Sequence, residues 1–367
     1  MGHTRLGLGV VVGATLLLSG IVTPASATTP LKHRYIATYP ARCNVNDVAV
    51  DPRLPDRTFA NCGDTRIHYL DTVTGPVRAI DSPYFGDPSS FGHNALGTYV
   101  LASRCLVSNA GTCEGDLHDL VLGKRSVNGK WAAPRRLGIG YGGILVVSNR
   151  GWWVIWSGPD GTHQARTIDS DGHTESASLP PGSSIQDAVT TNDGLAAAWK
   201  DDRGVLWVGW ASMVTGMWTS AAIGHTTGYS EPTIAVDGPF TYVAYEDQGV
   251  PKLLRSSRPA NADFRPVTLP SNLSGDGQVH VAAGAGEVWL AWDRPVDSFE
   301  FGCMDGCGEA SFDVAQLLKV STGQSMDLSN YEAFGLGASW VKALHSRGGA
   351  ARATFLGPHG VQSVEVT

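Results

Sequence analysis

Short apolar runs that end in an aromatic residue and then a polar one recur along the middle of the chain. Four copies read WWVIWS at 152–157, LAAAWK at 195–200, TYVAYE at 241–246 and VWLAWD at 288–293. Their aromatic positions, Trp156, Trp199, Tyr245 and Trp292, are 43, 46 and 47 residues apart. Each run has the length of a strand and follows a turn sequence, three of them containing glycine next to Asp or Ala. A repeat of this length made of short strands is typical of the blades of a β-propeller.

Extending the repeat in both directions predicts an all-β, seven-bladed β-propeller with four-stranded antiparallel blades. The alternative is six blades, because the last segment is weakly patterned. The predicted blades cover residues 44–81 and 91–138, begin near 142 and 184, cover 231–269, begin near 278, and end with 332–366. In the second blade the inner strands are predicted at 95–97 and 99–104, and the sixth carries an insertion at 295–310.

Three further features of the pattern concern packing. Residues 33–40 form an extended run before the first repeat, which predicts a strand added to the last blade to close the ring. Inner strands such as 144–147 and 195–198 do not alternate polar and apolar residues, so we expect both of their faces to be buried between blades. The tryptophans are therefore expected to pack between blades.

The first 27 residues have the pattern of a secretory signal peptide. Arg5 precedes an apolar run, and Ala25-Ser26-Ala27 is a small-residue cleavage site. We therefore expect a secreted protein whose residues 28–367 form one propeller domain, and we expect a monomer. The formal net charge of -7 argues against nucleic acid or an anionic membrane as a partner.

Six cysteines fit an oxidising compartment. Proximity in sequence favours three disulfides, and a thiolate metal site is disfavoured because only one closely spaced pair is present. The expected pairs are Cys43–Cys62, Cys105–Cys113 and Cys303–Cys307. All three are expected on the same face of the propeller.

Aligning the repeats predicts a ring of polar residues at the mouth of the central channel. The starts of the first strands and the ends of the second strands are expected on one face. The first-strand positions are Asp47, His93, Tyr141, Asp187, Glu231, His280 and Glu332, and the second-strand positions are Asn61, Arg104, Lys200, Glu246 and Asp293. From these we select as ligand-binding candidates Arg104, Tyr141, Asp187, Glu231, Glu246, His280 and Asp293.

Two kinds of chemistry could use this ring. A pair of carboxylates at the right separation hydrolyses glycosidic bonds, and a Tyr, His and Arg set removes a proton beside a uronate carboxylate. The catalytic candidates are Asp187, Glu231, Glu246 and His280. The alternative is that these side chains are polar only because they face the water at the mouth of the channel. Changing both Asp187 and Glu231 to Ala is expected to leave the fold nearly intact.

No cofactor is expected. The turns at 160–163 (DGTH) and 169–172 (DSDG) could hold structural calcium, but neither has the twelve-residue EF-hand pattern, so ordinary turns are favoured.

The turns SVNGKW at 126–131 and SMVTGMW at 212–218 resemble the Asp-box repeats of sialidase-like propellers. Neither completes the Ser-x-Asp-x-Gly-x-Thr-Trp box, and the chain has no Arg-Ile-Pro motif. The resemblance implies the propeller fold and a function that involves glycans, rather than sialidase activity. We therefore expect a secreted propeller that recognises an extracellular ligand, in the first place a glycan. The alternatives are a glycoside hydrolase or polysaccharide lyase, and a protein-binding propeller.

Overall fold

The computed structural model describes residues 30–38, 48–50, 58–61, 66–70, 78–81, 87–105, 108–109, 112–113, 118–148, 151–169, 174–177, 179–180, 183–192, 194–212, 215–257, 263–301, 308–328, 340–357 and 360–367. Every regular element in these ranges is a β-strand, and the strands pair antiparallel. None of the described residues forms a helix long and apolar enough to cross a membrane. Leu31–Thr367 form one compact unit. The predicted signal peptide at 1–27 lies outside the described residues and stays a prediction.

The strands form seven four-stranded sheets and one two-stranded sheet. Strand β1 (His33–Thr38) belongs to the last sheet. The first sheet consists of β2 (Val48–Val50), β3 (Thr58–Asn61), β4 (Arg66–Leu70) and β5 (Arg78–Asp81). The second consists of β6 (Asp87–Asn94), β7 (Gly97–Cys105), β10 (His118–Ser126) and β11 (Arg135–Ile139), with β8 (Ser108–Asn109) and β9 (Thr112–Cys113) as a separate pair.

The next four sheets each follow the chain in order. The third holds β12 (Tyr141–Ser148), β13 (Gly151–Ser157), β14 (His163–Asp169) and β15 (Thr174–Ala177). The fourth holds β16 (Asp187–Thr190), β17 (Gly194–Lys200), β18 (Val205–Ser212) and β19 (Trp218–His225). The fifth holds β20 (Thr233–Asp237), β21 (Phe240–Asp247), β22 (Val250–Ser256) and β23 (Arg265–Pro266). The sixth holds β24 (Asp276–Gly284), β25 (Glu287–Phe301), β26 (Gly308–Lys319) and β27 (Gln324–Asp327).

The last sheet joins the two ends of the compact unit. Strands β28 (Trp340–Arg347), β29 (Ala350–Gly357) and β30 (Gly360–Val366) pair in order, and β1 pairs with β30. The prediction that the first extended run adds a strand to the last sheet is confirmed. Glu365 on β30 accepts hydrogen bonds from Arg34 on β1 and from Arg352 on β29, so one carboxylate ties three neighbouring strands.

One expectation about strands is wrong. Residues 95–97 do not form an inner strand: β6 ends at Asn94, residues 95 and 96 are a turn, and Gly97 is the first residue of β7. The side chain of Asn94 accepts a hydrogen bond from the N–H of Leu96 at 2.8 Å within this turn. The described part of the predicted insertion at 295–310 consists of paired extensions of β25, up to Phe301, and of β26, from Gly308.

The hydrophobic core lies between consecutive sheets. One cluster joins the second and third sheets through Tyr99 and Trp152, whose rings pack edge to face with their centroids 4.7 Å apart. Further clusters join the third to the fourth, the fourth to the fifth, the fifth to the sixth and the sixth to the last. Trp153, Trp289 and Trp292 are almost fully buried, which confirms the packing role predicted for them.

Candidate functional site

The first strands of successive sheets contact one another in chain order, from β2 through β6, β12, β16, β20 and β24 to β28. Because these strands pair by backbone hydrogen bonds only within their own sheets, side chains supply the bonds between sheets. Within β16, β20 and β24 the side chains that do this occupy one register position. Asp187, Thr233 and His280 pair with the alanine that precedes the repeated aromatic residue in the second strand.

Each of these three side chains reaches the backbone of the next first strand. The Oδ2 atom of Asp187 accepts a hydrogen bond from the N–H of Ile234 at 2.8 Å. The hydroxyl of Thr233 donates to the carbonyl of Val279 at 2.7 Å and accepts from the N–H of Val281 at 3.0 Å. The Nε2 atom of His280 lies 3.1 Å from the carbonyl of Val341. These polar groups therefore hold neighbouring sheets in register.

A cavity of about 500 Å³ lies among these strands. Residues from the first strands of six sheets line it, together with residues just before them. The polar and charged residues in its wall are Ser89, Ser90, Gln186, Asp187, Glu231, Thr233, Gln278, His280, Lys342, His345 and Ser346. Its apolar wall includes Ile144, Val189, Ala235, Val281, Ala282 and Ala343.

The structure brings three of the predicted site residues to this cavity: Asp187, Glu231 and His280. Glu231 lies just before β20 and is exposed, whereas Asp187 and His280 are half-buried. The pairing register aligns Thr233, and not Glu231, with Asp187 and His280. Glu231 therefore stands outside the ring of equivalent positions in which the sequence alignment placed it.

Glu246 and Asp293 lie elsewhere and are buried. One oxygen of the Glu246 side chain accepts a hydrogen bond from the N–H of Gly249, in the turn after its own strand. Asp293 accepts a hydrogen bond from the N–H of Val341 at 2.8 Å. Both carboxylates are committed to backbone groups, which is a structural role.

For Arg104 and Tyr141 the structure describes the position of the backbone only. Arg104 lies opposite Asp119 near the end of β7, and Tyr141 opens β12 opposite Ser157. Cys105 ends β7 and Cys113 ends β9, whereas Cys43, Cys62, Cys303 and Cys307 lie outside the described residues. The three disulfides stay predictions.

Of the remaining aligned positions, Asp47 and Glu332 also lie outside the described residues, whereas His93 is near the end of β6 and Asn61 ends β3.

Two polar side chains of the cavity wall, Asp187 and His280, form hydrogen bonds with backbone groups. Both oxygens of Asp187 accept backbone N–H bonds, from Ala188 at 2.8 Å and from Ile234. Burial in the cavity wall lowers the pKa of His280 to about 4, although its hydrogen bond to Val341 acts in the opposite direction. The imidazole is therefore neutral at pH 7. Since a carbonyl can only accept, Nε2 carries the proton and Nδ1 is left as an acceptor.

Sequence reasoning missed the contribution of the last sheet. Lys342 and His345 line the cavity from β28, in the weakly patterned segment that left six blades as the alternative to the predicted seven. The two residues are three apart, which does not follow the two-residue alternation of a regular strand, and the pairing register shifts between Val341 and Ala343. Asp160, in the first of the two proposed calcium turns, accepts hydrogen bonds from the N–H and hydroxyl of Thr162, which is an ordinary turn. Residues 170–172 of the second turn lie outside the described residues.

No protein-family model matches the chain, and the comparison with curated proteins finds no match either.

Proposed function

We propose that this chain is a secreted, seven-bladed β-propeller that binds sugar residues of an extracellular glycan in the cavity between its first strands. The propeller arrangement is supported by seven four-stranded sheets whose first strands contact in chain order. The pairing of β1 with β30 supports closure of the ring, because it supplies the strand that the last sheet would otherwise lack.

The observation that carries the binding proposal is the cavity to which six sheets contribute residues. Its volume lies in the range of pockets that hold small ligands. Each hydroxyl of a sugar both donates and accepts a hydrogen bond, and the wall offers both kinds of partner. The amides of Gln186 and Gln278 and the ammonium of Lys342 can donate, and the exposed carboxylate of Glu231 can accept.

A second candidate, a glycoside hydrolase or polysaccharide lyase, uses the same cavity. The exposed Glu231 and the neutral His280 are two groups that could move a proton there. The pair Asp187 and Glu231 is a poor pair of catalytic carboxylates, since both oxygens of Asp187 are already bound by backbone N–H groups. Binding without turnover is therefore the better-supported function.

The test compares the secreted wild-type protein with the Glu231→Gln variant on a glycan array and on plant and bacterial polysaccharides. Wild type should retain glycans that Glu231→Gln retains at least about tenfold less well, and should release no new reducing ends or unsaturated uronates at any pH. Turnover that Glu231→Gln abolishes would favour the enzyme instead. A silent array together with a purified protein partner whose binding is measured directly would remove the glycan proposal.

A further inference from the structure

The loop between β19 and β20, residues 226–232, leads to the cavity and is held by hydrogen bonds from both neighbouring sheets. The buried hydroxyl of Thr226 donates to the carbonyl of Glu246 at 2.7 Å and accepts from the N–H of Gly228 at 2.9 Å. Asp247 accepts a hydrogen bond from the N–H of Thr227 at 3.2 Å. A Cβ atom at Gly228 would overlap the carboxylate and the carbonyl of Glu246, so the loop lies closer to β21 than any side chain at this position would allow.

Lys200 fastens the middle of this loop. Its ammonium donates to the carbonyl of Gly228 at 2.6 Å and to the carbonyl of Ser230 at 3.0 Å. These carbonyls flank Tyr229 on both sides. The N–H of Lys200 in turn donates to the side chain of Gln186, which lines the cavity. The backbone on either side of Tyr229 is therefore fixed relative to the cavity wall.

Tyr229 itself is fully exposed. Among the described residues it has the highest exposure of the large hydrophobic side chains, followed by Met217 at 71%. A ring in this position contributes nothing to the core, yet the loop that carries it is tightly held. Ordering a loop before a ligand arrives lowers the entropy cost of binding, and tyrosine provides a large rigid contact face.

Resting on the glycan-binding function proposed above, we propose that Tyr229 is an aromatic platform for one pyranose ring of the glycan. The C–H face of the sugar packs on the ring face, which carries partial negative charge. Glu231, two residues further on, lines the cavity, so one glycan occupies the cavity and extends over Tyr229. Lys200 acts as a positioning residue for this platform.

The experiment titrates the mature protein by calorimetry with four soluble probes: cellotetraose, xylotetraose, chitotetraose and maltotetraose. For a probe that binds wild type, Tyr229→Ala should weaken the affinity by about tenfold, whereas Tyr229→Phe should stay within about threefold because it keeps the ring. Met217→Ala is the matched control, since it removes an exposed apolar side chain from the turn between β18 and β19, and it should leave the affinity unchanged.

The role of Lys200 is tested with Lys200→Met. The backbone amides of residues 226–231 should exchange faster with solvent, and the binding entropy should become less favourable. In the Lys200→Met background Tyr229→Ala should cost much less than tenfold, because the platform is already displaced. Lys200→Arg should restore part of the affinity. An additive double variant would assign Lys200 a general structural role and remove the positioning claim.

The outcomes separate this inference from the function on which it rests. If no probe binds wild type with a dissociation constant below about 10 mM and the glycan array and polysaccharides also show no binding, the glycan function fails and the platform with it. If a probe binds, loses affinity in Glu231→Gln and is indifferent to Tyr229→Ala, the glycan function stands and the platform alone is wrong.

Discussion

Asp187 and Glu231 line the same cavity but differ in what surrounds them. The carboxylate of Asp187 accepts a hydrogen bond from the N–H of Ile234, a buried residue of the neighbouring sheet, whereas Glu231 is exposed. Asp187→Ala would leave that N–H unpaired and should lower the free energy of unfolding by about 2 kcal/mol. Glu231→Ala should stay within about 0.5 kcal/mol of wild type. Urea unfolding measures both.

This outcome would correct the expectation that both acids can be removed without harm to the fold. Equal stability of the two variants would instead mean that the bond between Asp187 and Ile234 contributes nothing between sheets. Sequence alone could place both acids near the starts of neighbouring strands. It could not distinguish them, since the distinction depends on which backbone N–H each carboxylate meets.

His280 should make the protein sensitive to acid. Its pKa of about 4 in the folded state lies below the ordinary 6.5, so between these values the unfolded chain binds the proton more readily. The stability contributed by the neutral ring is complete above pH 6.5 and is lost as the pH falls towards 4. The loss amounts to roughly 3 kcal/mol. Electrostatic interactions with Lys342 and His345 on β28 lower the pKa further.

The measurement compares wild type with His280→Gln in urea at pH 7.5 and pH 4. The glutamine amide can donate to the carbonyl of Val341 without titrating, so the variant should lose less stability than wild type over this range. Parallel pH profiles for the two proteins would show that His280 does not titrate differently in the folded and unfolded states.

At the scale of strands, Glu365 connects β1, β30 and β29 through Arg34 and Arg352. Burial alone would raise the pKa of Glu365, but its hydrogen bonds and ion pairs with the two arginines outweigh this and hold the pKa below its usual value. The side chain of Arg352 is only 3% exposed. Glu365→Gln leaves that buried charge without its carboxylate and should cost about 3 kcal/mol.

The control for this variant is Asp263→Asn, which breaks an ion pair with Arg265 in which both side chains are mostly exposed, and should cost less than about 0.5 kcal/mol. Because the folded pKa of Glu365 is depressed, its contribution is present above the unfolded pKa and is lost as the pH falls through the folded one. The difference between wild type and Glu365→Gln should therefore shrink in acid. A constant difference down to pH 2 would contradict the ionic origin.

The spacing of the repeated aromatics was enough to predict where the sheets lie. Trp156, Trp199, Tyr245 and Trp292 all fall in second strands. The three tryptophans are buried in the clusters between sheets, whereas Tyr245 is half-buried. The register of the first strands could not be predicted in the same way.

Irregular pairing is the physical reason. The register shifts between Tyr141 and Ile144 and again between Asp276 and His280, and such bulges leave no clear mark in a single sequence. The alignment of the repeats placed Tyr141 and Glu231 in the ring of equivalent positions, where the paired strands have Ile144 and Thr233. A register shift accounts for Tyr141, whereas Glu231 lies just before β20, which pairs with β21 without a shift. Of the predicted binding residues, Asp187, Glu231 and His280 line the cavity, whereas Glu246 and Asp293 do not.

At the scale of the whole molecule, the pairing of β1 with β30 joins the two ends of the compact unit. The backbones of Lys32 and Thr367 exchange hydrogen bonds at 3.3 and 3.0 Å next to this ladder. A protein that begins at residue 39 would lose the ladder and the ion pair between Arg34 and Glu365, and would expose β30 as an unpaired edge. We expect its thermal midpoint to fall by about 5 °C or more relative to a protein that begins at residue 31.

Loss of the edge strand should also change association. The protein that begins at residue 39 should self-associate with rising concentration in sedimentation experiments, since open edges pair with one another, and an excess of a synthetic peptide of residues 31–38 should reverse this and raise the midpoint. A peptide with Arg34→Glu is the matched control, because it places a like charge opposite Glu365 and should restore less. If the shortened protein keeps its midpoint and stays monomeric, β1 is an accessory strand and closure of the proposed ring does not depend on it.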